Sequence, residues 1–589
     1  MRNALKIALA FLLLAGAGFG VAAFPDRWVQ VIGGALSPRG AISDSFVPVF
    51  RKVLIVVGGS LSAILLGVAC WGRGLHRWML WFYRRIRHEW SDVANGLQAK
   101  LCQTTPLEYA GIVVLLSIGV GLRLWYVNQP MRFDEATTVT LYASSPWYIG
   151  LANYTMPNNH LLNTLLVRIS MLLGGDREWV VRLPALLAGL LCLPLTYVYA
   201  RLTYSREAAI LALAWLCVSL PFVDMSTNAR GYTMVACCGL TSQLSTYFLL
   251  RRGSGLAAIA NAGAIGLGLV AVPVAVLFVA SGLVWASFYA CALHRHGRLN
   301  PVHLYLFIGS VLAGFGIAAI GYAPMLLILG PKWLLANEWV RPLAWASFIR
   351  ELPEQLWAYG RYNSLYLPGA AVAVLALSAG YYLAFWKKIE NTKVPLPILL
   401  AGICLVSLML NRRYPLWGVT PMWMYLSIVL CGAISAGFAH AVVRATGPRR
   451  ARPLVWLAAW ILVGAGACNL VRANPRQTMD STGGYSFPDT PQVARYLADH
   501  ASPRDEILLD NAQIVHQYYA HRCGADDLNW SWRGQGPRRI FVLETSNPNP
   551  RFAEAMWIHL GRLGIQTTND LSLDAEFSDQ RIWSAEINP

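Results

Sequence analysis

The chain has 589 residues, of which 56% are hydrophobic and only 13% are charged, and its formal net charge is +18. Such a composition, with repeated apolar runs of about 20 residues, excludes an ordinary soluble domain and is typical of a polytopic α-helical membrane protein. Because Lys and Arg fall mostly in short loops between apolar runs, the basic excess indicates cytoplasmic loops that contact anionic membrane lipids, and we expect no nucleic-acid partner.

The apolar runs predict about thirteen transmembrane helices. They cover residues 5–24, 52–71, 107–126, 180–200, 207–223, 231–250, 255–272, 274–293, 303–329, 365–386, 395–410, 417–440 and 453–470. With Arg2 and Lys6 inside, every second loop carries a basic cluster, as cytoplasmic loops do. We favour an uncleaved first helix over a signal peptide that ends at Val21-Ala22-Ala23, and either choice leaves residue 25 outside.

This orientation predicts an inner-membrane, multi-pass protein with several sizeable pieces on its periplasmic face. The pieces are residues 127–179, a short turn at 224–230, residues 330–364 and the tail from about 471. We divide the chain into two N-terminal helices with a basic cytoplasmic loop (1–100), a membrane core with periplasmic loops 127–179 and 330–364 (101–470), and a soluble periplasmic domain (471–589).

The tail alternates between helix and strand patterns and predicts a small C-terminal α/β domain with a partly parallel sheet. The predicted helices are residues 491–500, 514–521 and 549–563, and the strands are residues 506–510 and 539–544. It contains no Gly-rich phosphate loop or nucleophile elbow, so we favour a supporting or acceptor-binding role over a catalytic one. Its single cysteine, Cys523, excludes an internal disulfide, and without a Cys-x-x-Cys pattern zinc-thiolate chemistry has little support.

An acidic pair, Asp134-Glu135, follows the apolar run that ends near Tyr126. Charge at a membrane boundary is costly and tends to persist where it binds or catalyses something. Since the orientation puts this pair outside, Asp134 is a candidate catalytic base.

The segment after the acidic pair predicts a helix that lies in the membrane interface. Asn158-Asn159-His160 precedes an apolar stripe from Leu161 to Leu173, with Asn163 and Arg168 on the other face. We expect Asn158 to cap this helix and His160 to lie in its first turn. His160 alone favours a packing or capping role; with the acidic pair in the same loop, it becomes a candidate site residue.

Two segments that contain arginine are also predicted on the outer face. Arg230 and Tyr232 belong to Asn228-Ala229-Arg230-Gly231-Tyr232, and Arg412, Arg413 and Tyr414 to Asn411-Arg412-Arg413-Tyr414-Pro415. Adjacent arginines there indicate an anionic partner such as a phosphate. The alternatives are a charged helix end for Arg230 and arginines that reach outer-leaflet headgroups for the second cluster.

Residues 330–364 are rich in aromatic residues, which either anchor the loop at the membrane boundary or belong to a movable lid that stacks on sugars. They are Trp333, Trp339, Trp345, Trp357, Tyr359 and Tyr362.

From Phe133 to about Leu250 the chain resembles the GT-C superfamily of membrane glycosyltransferases, in the group of bacterial relatives of protein O-mannosyltransferases and the lipid A aminoarabinose transferase. The resemblance rests on Asp134-Glu135, Pro157-Asn158-Asn159-His160-Leu161-Leu162, Glu178-Trp179-Val180-Val181-Arg182-Leu183-Pro184-Ala185-Leu186-Leu187-Ala188-Gly189, Asn228-Ala229-Arg230-Gly231-Tyr232 and, more weakly, Arg413-Tyr414-Pro415.

This resemblance implies a sugar donor carried on a polyprenyl phosphate, a periplasmic site, and inversion at the anomeric carbon. Asp134 would be the base, and Glu135 would orient the loop or bind a cation. The residues expected to bind substrate are Asn158, Asn159, His160, Arg230, Tyr232, Arg412, Arg413 and Tyr414. Many relatives have an acidic residue where this chain has residues 226–230, so a divalent cation is an open question and its ligands are unknown.

The sugar cannot be read from the sequence, and the acceptor is open among lipopolysaccharide, another envelope glycan, a glycolipid and a protein. Other functions that fit a polytopic membrane protein are a lipid-linked sugar flippase or transporter, an oligosaccharide ligase that uses a polyprenyl diphosphate, and a non-catalytic scaffold. A transporter would place polar residues at the membrane midplane, whereas the polar clusters here lie at the outer boundary.

Overall fold

A computed structural model describes most of the chain from residue 105 onward. The described residues are 25–36, 105–154, 156–335, 342–363, 369–412, 423–473, 488–510, 513–530, 539–545 and 550–587, with single helical positions between 46 and 91. The predicted spans 5–24 and, apart from one residue, 52–71 lie outside these ranges, as do Arg413 and Tyr414.

Helices dominate the membrane core. In chain order they are α1 Asp26–Leu36, α2 Pro106–Tyr126, α3 Phe133–Thr137, α4 Trp147–Ala152, α5 Leu161–Gly174, α6 Glu178–Thr203, α7 Arg206–Val218, α8 Leu220–Ser226, α9 Tyr232–Arg252, α10 Gly255–Ala271, α11 Val276–Arg295, α12 Pro301–Ile328, α13 Lys332–Leu335, α14 Trp345–Asn363, α15 Gly369–Ile389, α16 Leu396–Asn411, α17 Met424–Thr446 and α18 Pro448–Ala473. A π-helical turn, Thr138–Ala143, follows α3 directly.

Eight helices in the described part of the chain are long and apolar enough to cross a membrane, and the pair α7 and α8 makes a ninth if it counts as one bent span. These confirm the polytopic helical class. Two predicted spans, 255–272 and 395–410, form the shorter apolar helices α10 and α16.

The bend between α7 and α8 brings the chain to the 228–231 turn. The two helices meet at an angle of 57°, with Ser219 between them. The fully buried Arg123 of α2 donates hydrogen bonds to the carbonyl oxygens of Leu216 (3.1 Å) and Cys217 (3.2 Å) and to Ser226 Oγ (3.2 Å). A break in a buried helix frees backbone carbonyls that need donors, and this guanidinium supplies them.

A glycine in α6 allows α8 to lie close. A Cβ on Gly189 would come within 2.7 Å of the Ser226 Cβ, closer than real carbon atoms approach. The short α8 thereby packs directly on the helix that also carries Arg182. The chain then turns at Asn228 and enters α9.

The tail forms a four-stranded mixed sheet with helices, as the sequence predicts. Its elements are α19 Thr490–His500, β1 Glu506–Leu509, α20 Gln513–Arg522, β2 Arg539–Thr545, α21 Pro550–Arg562, β3 Ser572–Glu576 and β4 Gln580–Glu586. The strand order is β1-β2-β4-β3; β1 and β2 are parallel, and the other pairs are antiparallel. The three helices and first two strands match their predicted positions, whereas β3 and β4 are not predicted.

Candidate functional site

The acidic pair lies in α3, a single helical turn held by its own side chains. The backbone N–H of Arg132 donates to Glu135 Oε2 at 3.1 Å, which closes a capping arrangement at the start of the turn. The π-helical turn that continues α3 is a geometry often found at functional sites. The two acids are neighbours in sequence, yet their surroundings differ.

Glu135 is completely buried and makes a two-pronged ion pair with Arg182 of α6. Arg182 Nε donates to Oε1 at 2.7 Å and Nη2 to Oε2 at 2.6 Å, and the Ala229 N–H donates to Oε1 at 2.7 Å. Burial by itself raises the pKa of this carboxyl, but Arg182 and the Ala229 amide outweigh it and hold the pKa below its ordinary value. Glu135 therefore joins three segments of the chain as an ionised carboxylate.

The Arg182 guanidinium also fixes the backbone that precedes the acidic pair. It donates to the carbonyl oxygens of Val127 (2.7 Å), Gln129 (2.5 Å) and Pro130 (3.0 Å). The sequence gives one signal for Arg182, a charge in the first turns of an apolar helix within the stretch that carries the GT-C resemblance. Local sequence patterns do not reveal its partners, which lie about 50 residues away.

Asp134 is the more accessible acid, with 18% of its side chain exposed, and it forms an ion pair with Arg230. Arg230 Nη2 donates to the Tyr232 hydroxyl at 2.8 Å, and the guanidinium lies 5.1 Å from the centre of the Tyr232 ring. The side chains of Asp134, Arg230 and Tyr232 thus lie together, although about 100 residues separate the first from the other two.

His160 contacts the same turn from the other side. Its Nδ1 accepts a hydrogen bond from the Gly231 N–H at 2.8 Å, and its ring meets the Tyr232 ring edge-on at 4.8 Å. Burial, and next the charge of Arg230, lower the pKa of His160 well below its ordinary value. The imidazole is therefore neutral, and because Nδ1 is the acceptor its proton lies on Nε2.

The two asparagines before His160 hold the loop. Asn159 is buried, and its amide donates to the Gly150 carbonyl (2.7 Å) while its oxygen accepts from Thr164 Oγ1 (2.8 Å). Asn158 Nδ2 donates to the Asp134 carbonyl at 3.2 Å. The predicted cap by Asn158 is wrong, because His160 is the residue at the helix start and the Asn158 amide bonds to the acidic-pair turn instead. These contacts show that both asparagines support the loop, and substrate binding by either one stays a prediction.

Helix α5 turns its polar side inward, as expected for a helix in the membrane interface. Asn163 is buried and donates to the Ala229 carbonyl at 2.7 Å, whereas Leu172 and Leu173 are exposed. In this orientation the apolar face is available to lipid, and the polar face connects the His160 segment to the 228–231 turn.

A second buried ion pair lies beneath the acidic turn, and sequence reasoning assigned it no role. Arg132 pairs with Asp224 of α8, and both side chains are at least nine-tenths buried. The only sign of this pair in the sequence is the carboxyl of Asp224, which directly follows the predicted span 207–223. The pair ties the acidic turn to the bent helix.

Arg412 lies in a different environment from Arg230. It ends α16 in a left-handed backbone conformation (φ 48°), its carbonyl accepts from the Leu343 N–H at 3.1 Å, and its guanidinium lies 5.5 Å from the Trp345 ring centre. Within the aromatic segment, Trp339 lies outside the described residues, and residues Trp345–Asn363 form α14. In this helix Trp345 and Trp357 are exposed, whereas Tyr359 is buried and its hydroxyl lies 2.8 Å from Ser427 Oγ.

The described residues do not fit a metal centre. Among them no group of three or more His, Cys, Asp or Glu side chains is arranged to hold a metal ion. Three carboxylates of this region, Asp134, Glu135 and Asp224, each pair with an arginine, and a cation would have to displace that arginine. A divalent cation therefore stays an expectation that comes from the family resemblance alone.

Residues 160–320 match the family model described as dolichyl-phosphate-mannose-protein mannosyltransferase. The structure is similar to that of ArnT from Cupriavidus metallidurans. The apo form has a TM-score of 0.51 at 11% identity, covering 81% of this chain and 98% of ArnT. The form bound to undecaprenyl phosphate has a TM-score of 0.50 at 13% identity, covering 82% and 98%. No curated protein sequence matches the chain significantly.

The segment matched by the family model begins at His160 and includes Arg182 and Arg230. Residues 160–320 are therefore similar to this mannosyltransferase family model, and the fold of the chain is similar to that of ArnT.

Proposed function

We propose that this protein is an inverting glycosyltransferase that moves a sugar from a polyprenyl-phosphate donor to a cell-envelope acceptor at the periplasmic face. The observation that carries the proposal is the convergence of Asp134, His160 and Arg230 from three separate segments. A carboxylate beside a guanidinium and a neutral imidazole provides both parts that this reaction needs.

The first part is a base. Asp134 is the reachable member of the acidic pair, since its side chain is 18% exposed and that of Glu135 is 0% exposed. An acceptor hydroxyl beside Asp134 would give up its proton to the carboxylate as its oxygen attacks the anomeric carbon. Attack from the face opposite the phosphate inverts that carbon.

The second part is a cationic environment for the leaving phosphate. A phosphate leaving group needs charge stabilisation more than protonation, so one base and cations suffice, unlike the two carboxyls of ordinary glycosidases. The Arg230 guanidinium presents five N–H donors in a planar fork, which suits a phosphate. A phosphate at Arg230 would compete with Asp134 for this cation and so free the carboxylate for the acceptor. We assign His160, Arg412 and Arg413 supporting roles at the same phosphate.

Support for the donor class comes from ArnT, which shares the fold and has been seen with undecaprenyl phosphate. The family model that matches residues 160–320 likewise names a sugar carried on a dolichyl phosphate. Acceptors consistent with an outer-face site are lipopolysaccharide, another envelope glycan, a glycolipid or a protein. The alternation of basic loops supports the periplasmic face.

The test compares envelope glycans from cells that lack the gene after complementation with the wild type, Asp134→Asn or Asp499→Asn. The last is a control, because it removes an exposed carboxyl in α19. We expect mass spectrometry to find a sugar-bearing product in the wild type and control that falls by at least ~100-fold with Asp134→Asn. An unchanged product with Asp134→Asn at equal protein level would contradict the assignment of the base.

A flippase would act differently from a transferase in purified vesicles. A flippase would move lipid-linked sugar across the bilayer with no acceptor present. We expect polyprenyl phosphate to be released only when an acceptor extract is added. Acceptor-independent movement of intact donor, with no release, would overturn the transferase proposal.

A further inference from the structure

Helix α20 of the C-terminal domain lies against the acidic turn. Its side chains and those of α19 form one apolar cluster with the turn, the π-helix and the neighbouring helices. The buried members are Met131, Ala136, Val139, Ala143, Val167, Val181, Ala229, Ala494, Val515, Tyr518 and Tyr519. The C-terminal domain and the candidate site therefore lie on the same face of the membrane core.

One hydroxyl in this contact connects two segments of the site. Tyr519 Oη accepts from the Met131 N–H at 2.9 Å and donates to Glu178 Oε1 at 3.1 Å. Burial, and next the charge of Glu178, raise the pKa of Tyr519 above its ordinary value, so the hydroxyl keeps the proton that it donates. Glu178 also accepts from Arg522 Nη1 at 2.6 Å, which holds this carboxylate from the same helix.

The two segments joined by Tyr519 are those that meet again in the Glu135–Arg182 pair. Met131 lies three residues before Asp134, and Glu178 lies one helical turn before Arg182 in α6. The hydroxyl therefore fixes the acidic turn relative to α6 from the outer side, while Glu135 and Arg182 fix it from within. An error of about 1 Å in such an arrangement can cost 100-fold in rate.

We propose that Tyr519 is a positioning residue through which the C-terminal domain holds the Asp134 turn in its catalytic arrangement. The consequence for rate rests on the proposed transferase function, whereas the contact itself does not. The domain would thus be part of the working site without touching the sugar.

The test is Tyr519→Phe in the full-length protein, which removes the hydroxyl and keeps the ring in the apolar cluster. The matched control is Tyr518→Phe, because the Tyr518 hydroxyl donates only to the Asp176 carbonyl in the turn before α6 and not to the acidic segment. Hydrogen–deuterium exchange of the peptide 131–137, the thermal midpoint, and kcat and KM for the polyprenyl-phosphate donor are measured for both variants.

For Tyr519→Phe we expect exchange of peptide 131–137 to accelerate and kcat to fall about tenfold, with the donor KM and the thermal midpoint near the wild-type values. Tyr518→Phe should leave that peptide unchanged and kcat within about twofold.

If Tyr519→Phe leaves the exchange of peptide 131–137 unchanged, the contact is overturned, whether or not the protein transfers sugar. If exchange accelerates while kcat stays unchanged, or if kcat falls equally in Tyr519→Phe and Tyr518→Phe, the positioning role is overturned. A wild type that transfers no sugar would instead contradict the proposed function, and the exchange result would still decide the contact.

Discussion

Two acid–arginine pairs stand side by side at this site and differ in almost every physical respect. The Asp134–Arg230 pair is partly exposed, and its guanidinium lies over the Tyr232 ring. The Glu135–Arg182 pair is wholly buried, and both oxygens of its carboxylate accept hydrogen bonds. A carboxylate whose lone pairs are occupied by a guanidinium and backbone amides is a poor base for a substrate. The comparison teaches that burial divides the acidic pair into an accessible member and a structural member.

The buried pair should dominate stability. Glu135→Gln leaves the Arg182 guanidinium buried without its counter-charge, and we expect the free energy of unfolding to fall by ~3–5 kcal/mol. Asp134→Asn breaks a less completely buried pair, and we expect it to cost less than Glu135→Gln. Denaturant titration of both variants in mixed micelles measures the difference. Equal losses of unfolding free energy in the two variants would contradict the distinction between the two acids.

The Asp134–Arg230 pair should have the larger effect on the transfer rate. Arg230→Gln removes the guanidinium from the leaving phosphate, and we expect the transfer rate to fall ~100-fold while the protein stays folded. Arg230→Lys keeps the charge but loses the planar fork, so its rate should lie between those of the wild type and Arg230→Gln. Initial rates of polyprenyl phosphate release measure this order. A Gln variant as active as the Lys variant would exclude a role for the positive charge.

The smallest effect concerns the pH dependence of stability. Because the pKa of His160 is lowered on folding, the unfolded chain binds a proton below about pH 6.5 that the folded protein does not. Stability should therefore be lost as the pH falls below this value, by at most ~1.4 kcal/mol per pH unit. His160→Asn keeps an acceptor for the Gly231 amide and should flatten this slope. An unchanged slope in His160→Asn would contradict a buried neutral imidazole.

Much of the fold follows from local patterns. Apolar runs of membrane-spanning length give the long helices, and alternating helix and strand signals give the first five elements of the tail. The strands Ser572–Glu576 and Gln580–Glu586 escape prediction because they mix polar and charged residues with apolar ones. They join the sheet only because β4 pairs with β2 and β3 pairs with β4. The bend between α7 and α8 depends on the distant Arg123, which no local pattern reveals.

The site was predictable where chemistry sits in short motifs. Asp134, His160, Arg230 and Tyr232 stand out as polar residues at a membrane boundary, and the structure brings them into contact. Arg182, Asp224 and Tyr519 were assigned no role, because their importance lies in partners 47 to 388 residues away. The loop contacts of the Asn158 and Asn159 amides also depend on the fold, and a substrate-binding role for these two residues stays a prediction.

The most direct measurement is the rate of polyprenyl phosphate release by purified Asp134→Asn, taken with its free energy of unfolding in the same preparation. We predict a rate at least ~100-fold below that of the wild type and of Asp499→Asn, with a smaller loss of stability than that of Glu135→Gln. A rate within a few-fold of the wild type in a fully folded sample would show that Asp134 is not the base.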